Sequence, residues 1–235
     1  QGKPIVFSEL AAVSDAAPAS PPIPVNRVTA LSADGAASLA RHLKVEVAAV
    51  EVTGTPALDK LPSWSPKEKQ VLLLSTSDMS LRDPELSLLA TAQALKESGW
   101  DVRVRTHPRE DPTPWSGFTI VADETQVESA SKAQVVVGYP GSAHVLAAAV
   151  GVPVIALAPT AELAAVFTER QAASMSMNVT SSDDVLAHIG SVQAPDRRAV
   201  EAVVGPVGGA AQRVVHMWSD PPAERDRPGC RRAAR

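Results

Sequence analysis

Apolar runs of strand length alternate with amphipathic segments of helix length through the middle of the chain. Residues 70–75 (QVLLLS) form a continuous apolar run, which is typical of a strand buried on both faces of a parallel sheet. Residues 84–98 place Leu88, Ala92 and Leu95 on one helical face. Together the two patterns predict a β-strand followed by an α-helix that packs against the sheet.

This alternation continues toward the carboxy terminus. Further strands are predicted at residues 100–105, 118–122, 134–138, 153–157 and 175–179. Helices are predicted at residues 125–131, 142–150, 162–173, 182–189 (with Ser182 as its N-cap) and 197–218. Because parallel strands are joined by right-handed helical crossovers, the order predicts an α/β fold: a Rossmann-like parallel sheet with helices on both faces.

The first 60 residues carry a weaker form of the same pattern. Short strands are predicted at residues 4–8, 27–31 and 48–53, and a helix at residues 33–43 begins after the N-cap Ser32. The proline-containing residues 55–67 predict an interdomain linker. We therefore divide the chain into three parts: a short partial amino-terminal α/β segment (1–60), a Rossmann-like domain (61–218) and a disordered tail rich in Arg and Pro (219–235).

Composition narrows the function classes. Apolar residues make up 45% of the chain, which is typical of a globular protein. A formal net charge of −4 and an aromatic content of 3% argue against nucleic acid as a partner. The single cysteine, Cys230, excludes an internal disulfide and favours a reducing, cytoplasmic compartment. A peripheral membrane contact and a homo-oligomer both stay open.

The loop at residues 139–142 carries candidate ligand chemistry. In an open α/β sheet, ligands bind outside the carboxyl ends of the strands. Gly141 permits a ligand to approach the backbone, and Ser142 adds a hydroxyl at a helix start whose N–H groups attract anions. An ordinary tight turn with an N-cap is the alternative interpretation.

A second loop after a predicted strand carries His107, Pro108 and Arg109. A histidine at this place can donate to a diphosphate, and Arg109 adds positive charge. The alternative is a surface histidine in a polar loop. The other histidines lack metal-ligand spacing and are interpreted as helix-surface or core residues, so that no metal site is predicted: His42, His144, His188 and His216.

Taken in order, these segments resemble the carboxy-terminal domain of two-domain nucleotide-sugar enzymes with the GT-B architecture. That group includes glycosyltransferases and UDP-N-acetylglucosamine 2-epimerases. AQVVVGYPGSAHVLAAAVGVPVIAL is similar to the donor-site segment of the group, and RVRTHPRED is similar to its His-Pro loop. GPVGGAAQRVV resembles the turn that opens the last helix, and VEVTGTPALDKLPSW resembles the interdomain junction.

The resemblance implies a nucleotide-sugar donor as a small-molecule substrate, with no metal and no further cofactor. It implies donor binding by Ser77, His107, Gly141 and Ser142, with Arg109 adding charge beside them. A catalytic base would come from the amino-terminal part, where Glu9 is the only candidate that we identify.

Two departures from the group's pattern bear on activity. Val145 and Leu146 stand where the group commonly carries a ribose-binding Glu. Only about 65 residues precede the junction, whereas a complete acceptor domain needs more than about 100. The chain is therefore expected to be truncated or to have a reduced first domain, and to show no sugar transfer by itself.

Three functions stay open at this point. The first is a glycosyltransferase-like protein that binds a nucleotide-activated sugar in cell-envelope or exopolysaccharide synthesis. The alternative is a non-catalytic module that binds a nucleotide or a protein. The third is a sugar-nucleotide 2-epimerase relative, which needs several carboxylates around the sugar, whereas the chain offers Glu9 and Asp34 at best.

Overall fold

The computed structural model describes residues 6–8, 27–76, 88–166, 173 and 175–219, which form two parallel sheets. The smaller sheet contains β1 (Val6–Ser8), β2 (Arg27–Ala30) and β3 (Val50–Val52) in that order. Helix α1 (Ala33–Leu43) packs on it, and the Ser32 side chain accepts from the amide of Gly35. This helix and its cap agree with the prediction from the sequence.

The larger sheet has six parallel strands in the order β6-β5-β4-β7-β8-β9, which confirms the predicted Rossmann-like class. Its strands are β4 (Gln70–Leu74), β5 (Asp101–Arg105), β6 (Thr119–Ile120), β7 (Val135–Gly138), β8 (Val154–Leu157) and β9 (Met177–Val179). Its helices are α2 (Leu88–Glu97), α3 (Gln126–Lys132), α4 (Ser142–Val150), α5 (Ala161–Ala164), α6 (Ser182–His188), α7 (Arg197–Val204) and α8 (Ala210–Ser219).

Both faces of the larger sheet are covered, which explains the continuous apolar run in β4. Val71 and Leu73 point into one core, together with residues of α2 and α6. Leu72 and Leu74 point into the other core, together with residues of α3, α4 and α7. Because successive side chains of a strand face opposite sides, a doubly covered strand is apolar at every position.

Two predictions from the sequence are wrong in detail. The cap of α6 is Ser181, whose side chain accepts from the amide of Asp184, whereas Ser182 is the first helical residue. The predicted helix over residues 197–218 is two helices, α7 and α8. Gly205, which has φ 81°, ends the first of them and directs the chain away from the helical path.

Two further predictions are tested only in part. Of the helix predicted at residues 162–173, the structure describes α5, and residues 167–172 lie outside the described part. The predicted disordered tail also lies outside it from residue 220 onward. Among the helices that are described, none is long and apolar enough to cross a membrane.

The predicted linker is packed along the larger domain. Leu58 is 1% exposed, and the Trp64 indole Nε1 donates to the carbonyl of Ala133 at 2.9 Å. The backbone amides of Ser65 and Lys67 donate to carbonyl groups at the end of α3. These contacts hold the start of β4 against α3, so the linker is part of the second core.

Helix α8 is fastened to the junction between the two sheets. The Asp59 carboxylate accepts from the amides of Ala210 at 2.6 Å and Ala211 at 2.8 Å, which places a negative charge at the helix N-terminus. The Arg213 guanidinium donates to the carbonyl of Thr53 at 2.9 Å. Two contacts thus clamp the last described helix to the junction. In one the Asp59 carboxylate of the junction accepts from helix amides, and in the other the Arg213 guanidinium of the helix donates to the junction backbone.

We expect Asp59→Ala to lower the free energy of unfolding by about 1–2 kcal/mol, because two helix amides lose their acceptor. Hydrogen exchange at the amides of Ala210 and Ala211 should also accelerate. The matched control is Asp196→Ala, since Asp196 caps α7 through amides of its own helix. That variant should lose similar stability without affecting exchange at α8. Unchanged exchange at Ala210 in Asp59→Ala would contradict the clamp.

Candidate functional site

The order of strands changes direction beside β4. From β4 the chain proceeds to β5 and β6 on one side, then returns to place β7, β8 and β9 on the other side. The crevice outside the carboxyl ends of β4 and β7 is therefore the topological switch point, where ligands bind in open α/β sheets. The loop at residues 139–142 leaves β7 at this point and leads into α4.

Helix α4 begins without a side-chain cap. Its N-cap is Gly141, which has extended backbone (φ 177°, ψ 178°), and Ser142 is the exposed first helical residue. Of the described α-helices, α2 begins next to residues that are not described, and all the others start with a side-chain oxygen that accepts from a helix amide: Ser32, Thr125, Thr160, Ser181, Asp196 and Asp59. The predicted helix start at residues 141 and 142 is confirmed.

Behind this turn the packing is close. A Cβ atom at Gly138 would lie 2.8 Å from the carbonyl oxygen of Leu74 and 3.4 Å from Cε1 of His144. His144 is 0% exposed, and neither of its ring nitrogens makes a hydrogen bond. Backbone groups of Gly138, Ile155 and Gly141 surround the ring at poorer geometry. The imidazole is a core residue that fills the space between the turn and two strands.

Burial determines the charge state of His144. Desolvation of the imidazolium lowers the pKa of His144 from 6.5 to about 4, and the surrounding backbone groups oppose this shift only in part. The imidazole is therefore neutral at physiological pH. It adds no positive charge to the switch point, where, among the described residues, attraction for an anion comes from the helix and from the loop after β5.

The loop after β5 folds into a tight turn around His107. The amide of Glu110 donates to the carbonyl of His107 at 2.9 Å, and the amide of Arg109 donates to its Nδ1 at 3.2 Å. Because Nδ1 accepts a hydrogen bond, the neutral ring carries its hydrogen on Nε2. The imidazole is partly exposed, and Arg109 is exposed at the tip of the turn.

Glu110 connects this turn to β4. Its Oε1 accepts from the Ser75 hydroxyl at 2.7 Å and from the Trp115 indole at 3.0 Å, and its Oε2 accepts from the amide of His107 at 3.2 Å. Sequence reasoning missed this residue. The available signal was a carboxylate three residues after His107 in a turn, with a tryptophan shortly beyond it.

A cavity of about 580 Å³ adjoins the first turn of α4. Gln126 lines it and donates to the carbonyl of Ala143 at 3.0 Å, and Leu146 lines it from the next turn of α4. The other lining residues come from the junction and the start of α3: Ala57, Lys60, Leu61, Pro62, Thr125, Val127 and Glu128. The cavity wall is mostly apolar and has both a positive and a negative side chain.

Comparison with solved structures shows the fold of this chain. No family model and no curated protein matches the sequence. Among solved structures, the wall teichoic acid polymerase TagF matches with a TM-score of 0.57 and 11% identity, over 83% of this chain and 57% of that chain. The UDP-GlcNAc 2-epimerase of Neisseria meningitidis, bound to UDP-GlcNAc, matches with a TM-score of 0.54 and 14% identity, over 82% and 61%. S. aureus MnaA with UDP matches with a TM-score of 0.55 and 14% identity, over 82% and 59%.

The chain has a GT-B fold. It spans less than two thirds of the length of the three structures that it matches. The resemblance drawn from the sequence segments is confirmed at the level of architecture, because each match covers more than four fifths of this chain.

Within this GT-B fold, the structure places some of the predicted site residues at one edge of the large sheet. His107, Arg109, Gly141 and Ser142 all follow the carboxyl ends of strands that flank β4. Ser77 and Glu9 lie outside the described residues. Val145 and Leu146, which stand where a carboxylate was expected, lie on α4, and Leu146 forms part of the wall of the cavity.

Two carboxylates near this edge of the GT-B domain, Glu124 and Glu128, are already bonded to neighbouring groups. The Lys132 ammonium bonds Glu124 at 2.7 Å, and this bond lowers the pKa of Glu124. The Thr125 hydroxyl and amide bond Glu128, and these bonds lower its pKa as well. In the part of the chain that the structure describes, no group of three or more His, Cys, Asp or Glu residues is arranged to hold a metal ion.

Proposed function

We propose that this GT-B chain binds a nucleotide-activated sugar, with the diphosphate at the N-terminus of α4. The observation that carries the proposal is the start of α4, which lies at the topological switch point and has no side-chain cap. A helix start presents N–H groups and the positive end of the helix dipole. A diphosphate would supply the acceptors that side chains supply at the other helix starts.

His107 provides the opposite wall of the proposed site. It follows β5, whereas Ser142 follows β7, and β4 lies between these two strands. The strand ends are thus about 10 Å apart, which is two interstrand spacings. One nucleoside diphosphate can reach both walls, accepting from the Ser142 hydroxyl on one side and from Nε2 of His107 on the other. Arg109 adds positive charge at the entrance.

The cavity beside α4 is our candidate for the nucleoside. Leu61, Val127 and Leu146 offer an apolar surface for a flat base, and Gln126 and Thr125 provide polar atoms at its rim. Position 146 carries no carboxylate, so the ribose hydroxyls would be held less strictly than in the GT-B enzymes that carry Glu there. We therefore expect modest discrimination between ribose and deoxyribose.

The activity class that we favour is glycosyl transfer in cell-envelope or exopolysaccharide synthesis. The helix dipole, Ser142 and His107 would stabilise the negative charge that develops on the departing nucleoside diphosphate. Glu9 is our only candidate for a general base. Three neighbours in structure are a teichoic acid polymerase and proteins bound to UDP-GlcNAc or UDP, which supports a nucleotide-sugar ligand of this kind.

A non-catalytic nucleotide-binding module is the second candidate. It is favoured by the apolar residues Val145 and Leu146 at the ribose position. The two candidates share the same binding site and differ in turnover. An assay of the 235-residue chain with donor sugars, measuring hydrolysis and transfer, separates them. Turnover favours the enzyme, and binding without turnover favours the module.

Binding itself is tested by thermal shift with UDP-, CDP-, GDP-, CMP- and dTDP-sugars, together with the variant Gly141→Asp. Extended backbone at Gly141 accepts any residue, and a Cβ there would lie 3.8 Å from its nearest neighbour, the carbonyl oxygen of Tyr139. The new carboxylate caps α4 and should add about 0.3–1 kcal/mol of stability, from the cap and from its interaction with the helix dipole. It also occupies and repels the diphosphate, so affinity should fall at least about tenfold.

The opposite signs of these two effects make the test specific. A variant that is less stable and also binds weakly would indicate general damage to the fold. Gly190→Asp is the matched control, because Gly190 also has open space for a Cβ and lies after α6, away from the switch point. It should leave ligand affinity unchanged. Equal affinity in wild type and Gly141→Asp would remove the α4 terminus from the site.

A further inference from the structure

Glu110 is the one described carboxylate that joins the loops after β4 and β5. It receives three hydrogen bonds, from the hydroxyl of Ser75, the indole of Trp115 and the amide of His107. Trp115 is 4% exposed and belongs to the core on the α2 face, so one of these donors is rigidly held. The carboxylate is thereby anchored to the core through Trp115, and it holds the histidine turn through the amide of His107.

The turn closes on itself through the same residue. The side chain of Glu110 accepts the amide at the start of the turn, and its own amide donates to the carbonyl of His107. This double link brings the amide of Arg109 to 3.2 Å from Nδ1 of His107. An imidazole nitrogen that accepts a backbone N–H cannot carry a hydrogen itself, which leaves the hydrogen on Nε2.

We propose that Glu110 is a positioning residue that orients the His107 ring, so that Nδ1 accepts from the amide of Arg109 and the Nε2–H is directed to the ligand edge. The part of this inference that concerns the ligand rests on the proposed function. The parts that concern the tautomer and the orientation of the His107 ring do not depend on the proposed function. Glu110 carries negative charge beside the proposed site for an anion, but all three of its hydrogen bonds come from donors of the protein, so both of its oxygens are directed to the protein.

The decisive substitution is Glu110→Gln. The amide retains the size of the side chain and one oxygen, which can still accept from Ser75 and Trp115. The other oxygen becomes an NH₂ group that faces the amide of His107. Two donors cannot bond to each other, so the turn opens and Nδ1 loses the amide of Arg109. The tautomer of His107 then becomes a mixture.

Tautomers are measured by ¹⁵N–¹H correlation spectra of histidine side chains in full-length protein at pH 7.5. In wild type, His107 should show a single Nε2–H form. In Glu110→Gln, the Nδ1–H form should become populated, and affinity for UDP, used as the probe, should fall about five- to tenfold, the effect of one charge-assisted hydrogen bond. A purely structural role for Glu110 would change stability and leave the tautomer unaffected.

One control separates positioning from general stability. Asp184→Asn changes a carboxylate that also accepts hydrogen bonds from nearby hydroxyl groups, those of Thr180 and Ser181, beyond β9. This variant should preserve the Nε2–H form of His107 and the affinity for UDP.

The outcomes are distinct. A wild-type His107 that is charged, mixed or in the Nδ1–H form overturns the inference without any variant, including the case in which Glu110→Gln does not fold. An unchanged tautomer in Glu110→Gln also overturns it. A shifted tautomer with weaker UDP binding supports it. A shifted tautomer in a protein that binds none of the donor nucleotides supports the positioning role and overturns the proposed function.

Discussion

Gly205→Ala is expected to lower the free energy of unfolding by about 4 kcal/mol, which corresponds to a decrease in Tm of roughly 10 °C for a chain of this size. Gly205 has φ 81° and ψ −176°, a backbone region that is essentially restricted to glycine. A Cβ atom there would lie 1.7 Å from the carbonyl oxygen of Leu31 and 3.4 Å from Cα of Gly54. These neighbours are backbone atoms, so no side-chain rotation can relieve the contact.

The position of Gly205 explains why so large an effect arises from one methyl group. The residue ends α7 of the large domain where the chain touches the loop after β2 in the small sheet. Gly54 approaches from the other side, and a Cβ on Gly54 would lie 2.5 Å from the carbonyl oxygen of Pro206. Three backbone segments thus meet at a distance that only glycine permits, and this contact fixes the two sheets relative to each other.

The control is Gly208→Ala in the same loop. Gly208 also has positive φ, at 84°, but no atom lies within 4 Å of an added Cβ. It should lose only about 1 kcal/mol, the usual cost of a left-handed alanine. Chemical denaturation of both variants gives the comparison, and the difference between them isolates the contact from the backbone strain. Equal losses would show that the three segments do not meet this closely.

Much of the fold could be predicted because the relevant signals are local. The apolar run of β4 reports burial on both faces, and α1 and α4 begin and end where the sequence indicates. Ser32 caps α1, and Gly151 has the left-handed conformation that ends α4. Each of these signals lies within four residues of the boundary that it marks, so it acts before the chain is packed.

The wrong predictions, of the cap of α6 and of one continuous helix over residues 197–218, arise where a contact with a distant residue decides between two locally acceptable structures. Ser181 and Ser182 are both acceptable caps for α6, but the hydroxyl of Ser182 lies 2.7 Å from that of Thr91 in α2, which leaves Ser181 to cap the helix. The break between α7 and α8 depends similarly on Asp59, which caps α8 from the junction far earlier in the sequence. A pattern within a short stretch of sequence cannot indicate contacts with residues that are distant in the chain, such as Thr91 and Asp59.

The candidate site was found only in part for the same reason. Gly141 and Ser142 are visible as a strand-turn-helix signal, and His107 is visible as a histidine after a strand. The role proposed for Glu110 becomes visible only in the structure, where Ser75 and Trp115 donate hydrogen bonds to its carboxylate. The sequence therefore identifies the groups that we propose as donors to a ligand, and it misses the carboxylate that we propose as the residue that orients one of them.

The burial of His144 could not be predicted either, although it produces the largest expected pH effect. The sequence places this histidine on an amphipathic helix, as surface or core, and only the packing of β7 and β8 against α4 excludes water from it. The folded state disfavours the imidazolium, with a pKa of about 4, whereas the unfolded chain has the ordinary value of 6.5. The protein must therefore release a proton from His144 when it folds in weak acid.

We expect the free energy of unfolding to decrease by about 3 kcal/mol between pH 7 and pH 4 because of this one residue, since each pKa unit is worth about 1.36 kcal/mol. The unfolded chain binds a proton that the folded chain does not, so stability is complete above pH 6.5 and is lost as the pH falls. Below the folded pKa of about 4 both states carry the proton, and the loss stops. Urea denaturation at half-unit steps of pH measures the curve.

His144→Leu should remove this part of the pH dependence. Leucine has a similar volume, and replacing a buried group whose nitrogens make no hydrogen bond costs little at neutral pH. Carboxylates with lowered pKa values, such as Glu124 and Asp184, lose their contributions at more acidic pH in both proteins, so they cancel in the difference. The wild-type and variant curves should coincide near pH 7 and diverge by about 3 kcal/mol at pH 4, with the variant more stable. Parallel curves over this range would show that His144 has the same pKa in the folded and the unfolded protein, and that water reaches the ring between the turn and the two strands.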